Sequence, residues 1–287
     1  MRTIRVGGVP EHFNYPWHYA IANKLFEVHG LRVEWTDVKG GSGAMCAMLE
    51  SGELDFALVL TEGIVKHIHK GGSARIVQQY VKSPLVWGVH STLNHNFESS
   101  DLSKARFARS RIGSGSHLMA YVHAEEKGYT LSEKNFETVG NIDGAMDAFE
   151  NDTADILLWE KFMTQPYVTQ GVVKRIGLCV SPWPCFMLVA AQQMLEEKDI
   201  IQKLGEVILQ SAAKVSEESD TVDTIASKYK LQTAQVSQWY SSVEWQTSPW
   251  LSKKMLLNVI HTLDRVGILG AKPLSYQDLC ISDAKLY

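Results

Sequence analysis

Two hydrophobic periods take turns along the chain. Residues 2–9 form a short β-type run that ends in Gly7-Gly8. Trp17, Ala20, Ile21, Lys24, Leu25 and Val28 then recur at helical spacing, with Pro16 suited to the first turn and Gly30 predicted as the C-terminal cap. Residues 31–38 place Leu31, Val33 and Trp35 on one face of a strand. After Gly40-Gly41-Ser42-Gly43 a helix carries Ala44, Met45, Met48 and Leu49, and Gly52 stops it. Residues 55–60 read as a buried parallel-type strand, 61–70 as a helix and 74–80 as a strand. This β-α-β-α-β-α-β order predicts a mostly parallel sheet with helices on both faces.

The same grammar restarts after about residue 100, without sequence repetition. A strand ends near residues 111–116 and runs into a helix; strands follow at 136–139, 154–159 and 172–178, with a helix over 142–149. A helical tail closes the chain. Leu204, Val207, Ile208, Ala212 and Val215 share one stripe, and Leu251, Met255, Val259, Ile260, Leu263 and Val266 share another. Residues 83–90 and 183–190 read as strands and not as flexible linkers. Two extended crossings between two α/β units predict a hinged pair of lobes with a cleft, and ligands in open α/β sheets bind beyond the carboxyl ends of the strands.

Composition narrows the function classes. Of 287 residues, 45% are apolar and 21% charged, an ordinary globular balance. The 28 basic and 32 acidic residues give a net charge of −4, which argues against a nucleic-acid footprint and a polybasic membrane surface. No run of about 18 apolar residues predicts a membrane-spanning helix. Cys46, Cys179, Cys185 and Cys280 lack metal or paired spacing and read as buried thiols. His67 and His69, two apart on a helix, face different ways, so no metal is expected there. The opening residues lack a secretion signal, which predicts a cytoplasmic protein, or a periplasmic or cell-surface one if a leader has been removed.

Four segments carry a family resemblance: the opening strand and helix with HGLRVEW (29–35); GGSGAMCAMLESGELDFAL (40–58); RIGSGSHLMA (111–120); and DAFENDTADILLWEKF (147–162). In order and at this spacing, the chain resembles the type II periplasmic-binding-protein-like superfamily, in particular NMT1/THI5-like and SsuA-like (sulfonate, nitrate and thiamine-precursor) solute-binding proteins, over roughly residues 3–245. The resemblance implies a two-lobed α/β fold. Each lobe is a mostly parallel sheet flanked by helices, and a two-strand hinge joins them. Lobe I comprises 1–86 and 187–287, and lobe II comprises 87–186, with a ligand-binding cleft between them.

Candidate ligand-binding residues follow the carboxyl ends of the strands. In the loop after the first strand, Phe13, Tyr15 or Trp17 would offer stacking faces to a flat heteroaromatic ligand, Glu11 a carboxylate, and Asn14 a further polar contact. Gly41, Ser42 and Gly43 open a helix whose backbone N–H groups favour an anion; the alternative is a tight turn. Thr61 and Glu62 end the third strand. Ser114, Gly115, Ser116 and His117 form the matching helix start in the second lobe. Trp159 and Glu160 end a second-lobe strand, and Trp183 lies on the second crossing.

Two functions are expected from this pattern. One is an ABC-transporter-type solute-binding protein that closes on a thiamine-pyrimidine-like heterocycle or small organic anion, acting as a monomer with a permease–ATPase pair and without a cofactor. The other is a cytosolic enzyme of thiamine-precursor or related metabolism on the same fold. In the pyrimidine-precursor synthases that the chain resembles, a lysine holds pyridoxal phosphate and a histidine is consumed. Those positions fall at Val59 and Gly63 here, and the synthases' cysteine run is replaced by Trp183-Pro184-Cys185-Phe186. No catalytic residue is therefore assigned.

Overall fold

A computed structural model describes residues 1–94, 97, 101–270 and 274–287. The chain divides into two compact units: Met1–Ser83, Trp183–Asn258 and Lys272–Tyr287 in the first, Pro84–Pro182 and Val259–Ala271 in the second. The family resemblance implies one lobe for the whole tail from 187 onward, whereas 259–271 group with the second unit.

In chain order, the first unit opens with β1 (Arg2–Gly8), α1 (Tyr15–Ala22), β2 (Leu31–Asp37), α2 (Gly41–Glu50), β3 (Phe56–Leu60) and α3 (Thr61–His69). β4 (Arg75–Ser91) then contributes residues to both units. The second unit continues with β5 (Phe107–Arg109), α4 (Gly115–Lys127), β6 (Phe136–Thr138), α5 (Ile142–Glu150), β7 (Ile156–Glu160) and α6 (Gln165–Thr169). β8 (Lys174–Ala190) again has residues in both. There follow α7 (Lys198–Glu217), α8 (Thr221–Tyr229), α9 (Thr233–Tyr240), α10 (Lys253–Arg265) and α11 (Tyr276–Leu279). The runs expected separately at 74–80 and 83–90, and at 172–178 and 183–190, are thus single 17-residue strands.

In the first unit the strand order is β2-β1-β3-β8, with β1 parallel to both neighbours and β8 antiparallel to β3. In the second it is β4-β7-β5-β6, with β5 parallel to β6 and β7 and β4 antiparallel to β7. Each sheet is therefore mostly parallel, and the carboxyl ends of its parallel strands share one edge. The first core gathers Ile4, Trp17, Phe26, Phe56, Leu58 and the α7 stripe read from the sequence, all buried. The second includes Ala108, Ala145, Ala148, Ala154 and Leu157.

The first helix is shorter than its periodicity predicts. Lys24 adopts a left-handed conformation (φ 56°), and the N–H groups of Leu25 and Lys24 turn back onto the carbonyls of Ala20 and Ile21. This paired closure ends a helix without glycine. Val28, expected on the apolar stripe, is 83% exposed.

A polar fork appears once in each unit. Asp55, just before β3, accepts from the Arg5 backbone N–H (2.8 Å), Nε (3.1 Å) and Nη2 (2.7 Å). Asp155, just before β7, accepts from the same three groups of Arg106 at 2.7, 3.0 and 2.7 Å. The aspartate N–H returns a bond to the arginine carbonyl in both cases. Each fork locks the start of one parallel strand to its neighbour. Both acids are buried, and such bidentate arginine–carboxylate pairs are the strong kind.

Candidate functional site

At the carboxyl edge of the first unit's sheet, three loops meet the incoming end of β8. The antiparallel register sets Leu60 opposite Phe186, so the β3–α3 join lies beside Trp183 and Pro184. The Thr61 hydroxyl donates to the Pro184 carbonyl. Ser42, in the first turn of α2, accepts from the Leu60 N–H at 3.1 Å. A Cβ on Gly63 would come within 3.0 Å of the Ser42 Cβ, so α2 and α3 approach closely there. Ser42 therefore ties α2 to β3. Gly41 has φ 62°, a turn that favours glycine, and Gly43 is exposed.

Glu62 is the chemically distinctive group of this edge. It is 1% exposed, in the first turn of α3, and its Oε2 accepts from the Trp183 indole N–H at 2.8 Å. Its Oε1 is buried and meets no hydrogen-bond donor among the described residues. Burial pushes the carboxyl up to about 7, against the pull of its own backbone N–H and the indole.

Glu11 follows β1. It is half-buried, and desolvation raises its carboxyl to about 7. The aromatic residues beside it are not presented as stacking faces. Phe13 and Trp17 are buried, as is Tyr15. Phe13 packs on Phe186 and Trp239, and its carbonyl accepts from the Tyr80 hydroxyl (2.7 Å) and the Trp245 indole (2.8 Å). Trp17 lies against Phe26, Trp35 and Tyr80. Asn14 folds its Nδ2 onto the Val9 carbonyl at 2.7 Å. The loop's aromatic density builds core, because large rings bury the most apolar area. His12 joins it edge-on to Trp239 at 4.1 Å, and burial lowers it to about 3.

In the second unit, Ser114 caps α4, accepting from the His117 N–H, and Ser116 accepts from the Ser110 N–H at 3.1 Å. Gly115 opens the helix. His117 is buried and fixed at both nitrogens. Nδ1 accepts from the Gly113 N–H (2.9 Å), and Nε2 lies 2.9 Å from Arg109 Nη1 and 3.3 Å from Glu133 Oε1. Arg109 Nη1 donates to Glu133 Oε2 at 2.7 Å and holds that carboxyl below its usual range. Glu160 is buried, and its Oε2 accepts from the Phe162 and Met163 N–H groups. Trp159, half-buried, packs on the alanine-rich cluster.

One further cluster was missed by sequence reasoning. His90 Nδ1 faces the Leu157 carbonyl (3.3 Å), while Nε2 faces the Thr164 hydroxyl (2.9 Å) and Arg175 Nε (3.4 Å). Burial, and then Arg175, lowers His90 to about 4. Residues 90, 164 and 175 share no local motif, so nothing in the sequence signalled the cluster. Where the synthases carry lysine and histidine, Val59 is fully buried in β3 and Gly63 lies in α3. The four cysteines are buried and form no disulfide. Among the described residues no group of three His, Cys, Asp or Glu is placed to hold a metal ion, and no helix is long and apolar enough to cross a membrane.

Known structures place this fold. A Candida albicans protein, the CA3427 gene product, described as defining a family with the generic periplasmic-binding-protein fold, is 26% identical and covers 100% of this chain and 96% of its own, with a TM-score of 0.90. The alkanesulfonate-binding protein SsuA of Xanthomonas axonopodis pv. citri, bound to MOPS, is 13% identical over 100% and 98% (TM-score 0.78). The ligand-binding component of an ABC-type import system from Staphylococcus aureus, with zinc bound, is 15% identical over 99% of each chain (TM-score 0.75). The chain has the periplasmic-binding-protein fold and belongs to the type II periplasmic-binding-protein-like superfamily. Within it, the Ca3427-like PBP family matches residues 87–179, which lie in the second unit. No curated protein matches the chain by sequence.

Proposed function

We propose that this chain is a small-molecule solute-binding protein of the ABC-transporter substrate-binding type, whose two lobes close on the ligand. The observation that carries this reading is likeness along the whole chain to proteins of this fold. Two of them are named for such a role: the Staphylococcus aureus import component and the MOPS-bound SsuA. The proposed contacts in the first lobe are Glu11, Ser42, Thr61, Glu62 and Trp183, with the α4 start and Trp159-Glu160 in the second. A permease–ATPase pair is the proposed partner. Of the two ligand chemistries, a thiamine-pyrimidine-like heterocycle is favoured over a small organic anion, because the buried carboxyls of the first unit would repel a sulfonate or nitrate.

Thermal shift against aminopyrimidines, alkyl sulfonates, nitrate and dicarboxylates tests the reading, with small-angle scattering of any hit. A ligand at 100 times its Kd adds about 2.7 kcal/mol, which raises Tm by roughly 5–10 °C at this chain length. The radius of gyration is expected to fall on binding. A tight ligand that leaves the radius unchanged removes lobe closure, and silence across the panel together with an empty native mass spectrum removes the binding role.

A further inference from the structure

Four acids of the described residues are buried: Asp55, Glu62, Asp155 and Glu160. Asp55 and Asp155 are each held on both oxygens by an arginine fork, and Glu160 by two backbone N–H groups. Glu62 differs from all three. The Trp183 indole donates to Oε2, while Oε1 is buried and has no donor at hydrogen-bond distance among the described residues. Among the described residues, burial, its own backbone N–H and the indole set its ionisation, and no charged side chain contributes. A buried acceptor without a donor costs free energy that the fold recovers only when a donor arrives.

Its neighbours are tied to one another. Thr61 is tied to Pro184, Ser42 to Leu60, and Gly63 lies against Ser42. The carboxyl is thus held at the carboxyl edge of β3, at the start of a nine-residue helix, beside an aromatic wall. Resting on the solute-binding reading, we infer that Glu62 Oε1 accepts a hydrogen bond from an N–H group of the ligand, and that Trp183 positions this carboxyl. The ligand class this selects is a neutral or weakly basic nitrogen compound with an N–H edge, such as an amino-substituted heterocycle or an amidine. A ring nitrogen beside an exocyclic amino group would share one proton with the carboxyl, so no net charge need be buried. A carboxyl poised near neutrality suits that exchange. Sulfonate and nitrate offer only acceptors and do not satisfy Oε1.

Calorimetry at pH 7.5 with 4-amino-2-methylpyrimidine and benzamidine, against ethanesulfonate and nitrate, tests this assignment. At least one N–H probe is expected to bind wild type, and Glu62→Gln to weaken it roughly 10- to 100-fold, since a charge-assisted bond is lost. Glu62→Asp, which keeps the charge but retracts it, is expected to weaken binding as well, so the assignment does not hang on one variant's folding. Trp183→Phe is expected to raise Kd less and to abolish part of the ligand-induced fluorescence change. Sulfonate binding with silence from both N–H probes overturns the Glu62 assignment and leaves the solute-binding role standing. Equal affinity of wild type and Glu62→Gln for an N–H probe does the same. Silence from every probe, with no small molecule retained in native mass spectra, removes both.

Discussion

Asp155→Ala is expected to destabilise the second unit by about 3 kcal/mol, the lower end of the cost of stripping one partner from a buried ion pair. The low end applies because the Arg106 side chain is 42% exposed and can turn to water, whereas its backbone N–H cannot. Asp155 accepts from that N–H as well as from two guanidinium nitrogens, and it fixes where β7 starts against β5. Urea unfolding followed by hydrogen exchange reads the effect. Amides of β5 and β7 should lose protection before those of β1 and β3. A loss under about 1 kcal/mol would mean that the fork behaves as a surface pair. Asp55→Ala should act in the same way on β1 and β3, because the Arg5 contacts repeat the pattern.

The second large effect is a gain. Glu62 rises from an ordinary value of 4.5 to about 7 on folding, because burial penalises its charged form. The folded chain therefore holds this proton more tightly than the unfolded chain. The contribution to stability is fully present below about pH 4.5, falls as pH rises toward 7, and stays at its lowest above that. The difference amounts to a cost on the order of 3 kcal/mol at pH 8. Glu62→Gln removes the ionisation and should raise stability by about that amount at pH 8 and by little at pH 4.5, while binding of the N–H probe falls. Melting curves of both proteins at the two pH values decide it. An equal difference at both would mean that the carboxyl is not held in the protonation state its burial dictates. Stability gained where binding is lost is the expected signature of a group kept for function.

The order of strands and helices was legible because each has its own period. Buried strands such as 56–60 read as apolar runs, the α7 stripe recurs at 3.6 residues, and Gly40–Gly43 marks a helix start. The superfamily was legible too, because four such segments recur in order. Element ends were less so: α1 stops at Ala22 through a left-handed Lys24, a residue type that does not announce a cap.

What the tertiary structure decided is which polar and aromatic groups are already used. From the sequence, Phe13, Trp17 and Glu11 look alike as candidates near one strand end; packing commits Phe13 and Trp17 to the core and leaves Glu11 half-buried, its carboxyl raised by desolvation. Ser42, Ser114, Ser116, His117 and Glu160 likewise turn out to bind backbone or neighbouring side chains. Glu62 and Trp183 are 121 positions apart, and only the antiparallel register of β3 with β8 brings them to 2.8 Å. The physical reason is range. Periodicity is set by a residue's near neighbours along the chain, whereas the free energy of a buried carboxyl depends on whichever distant groups the fold places around it.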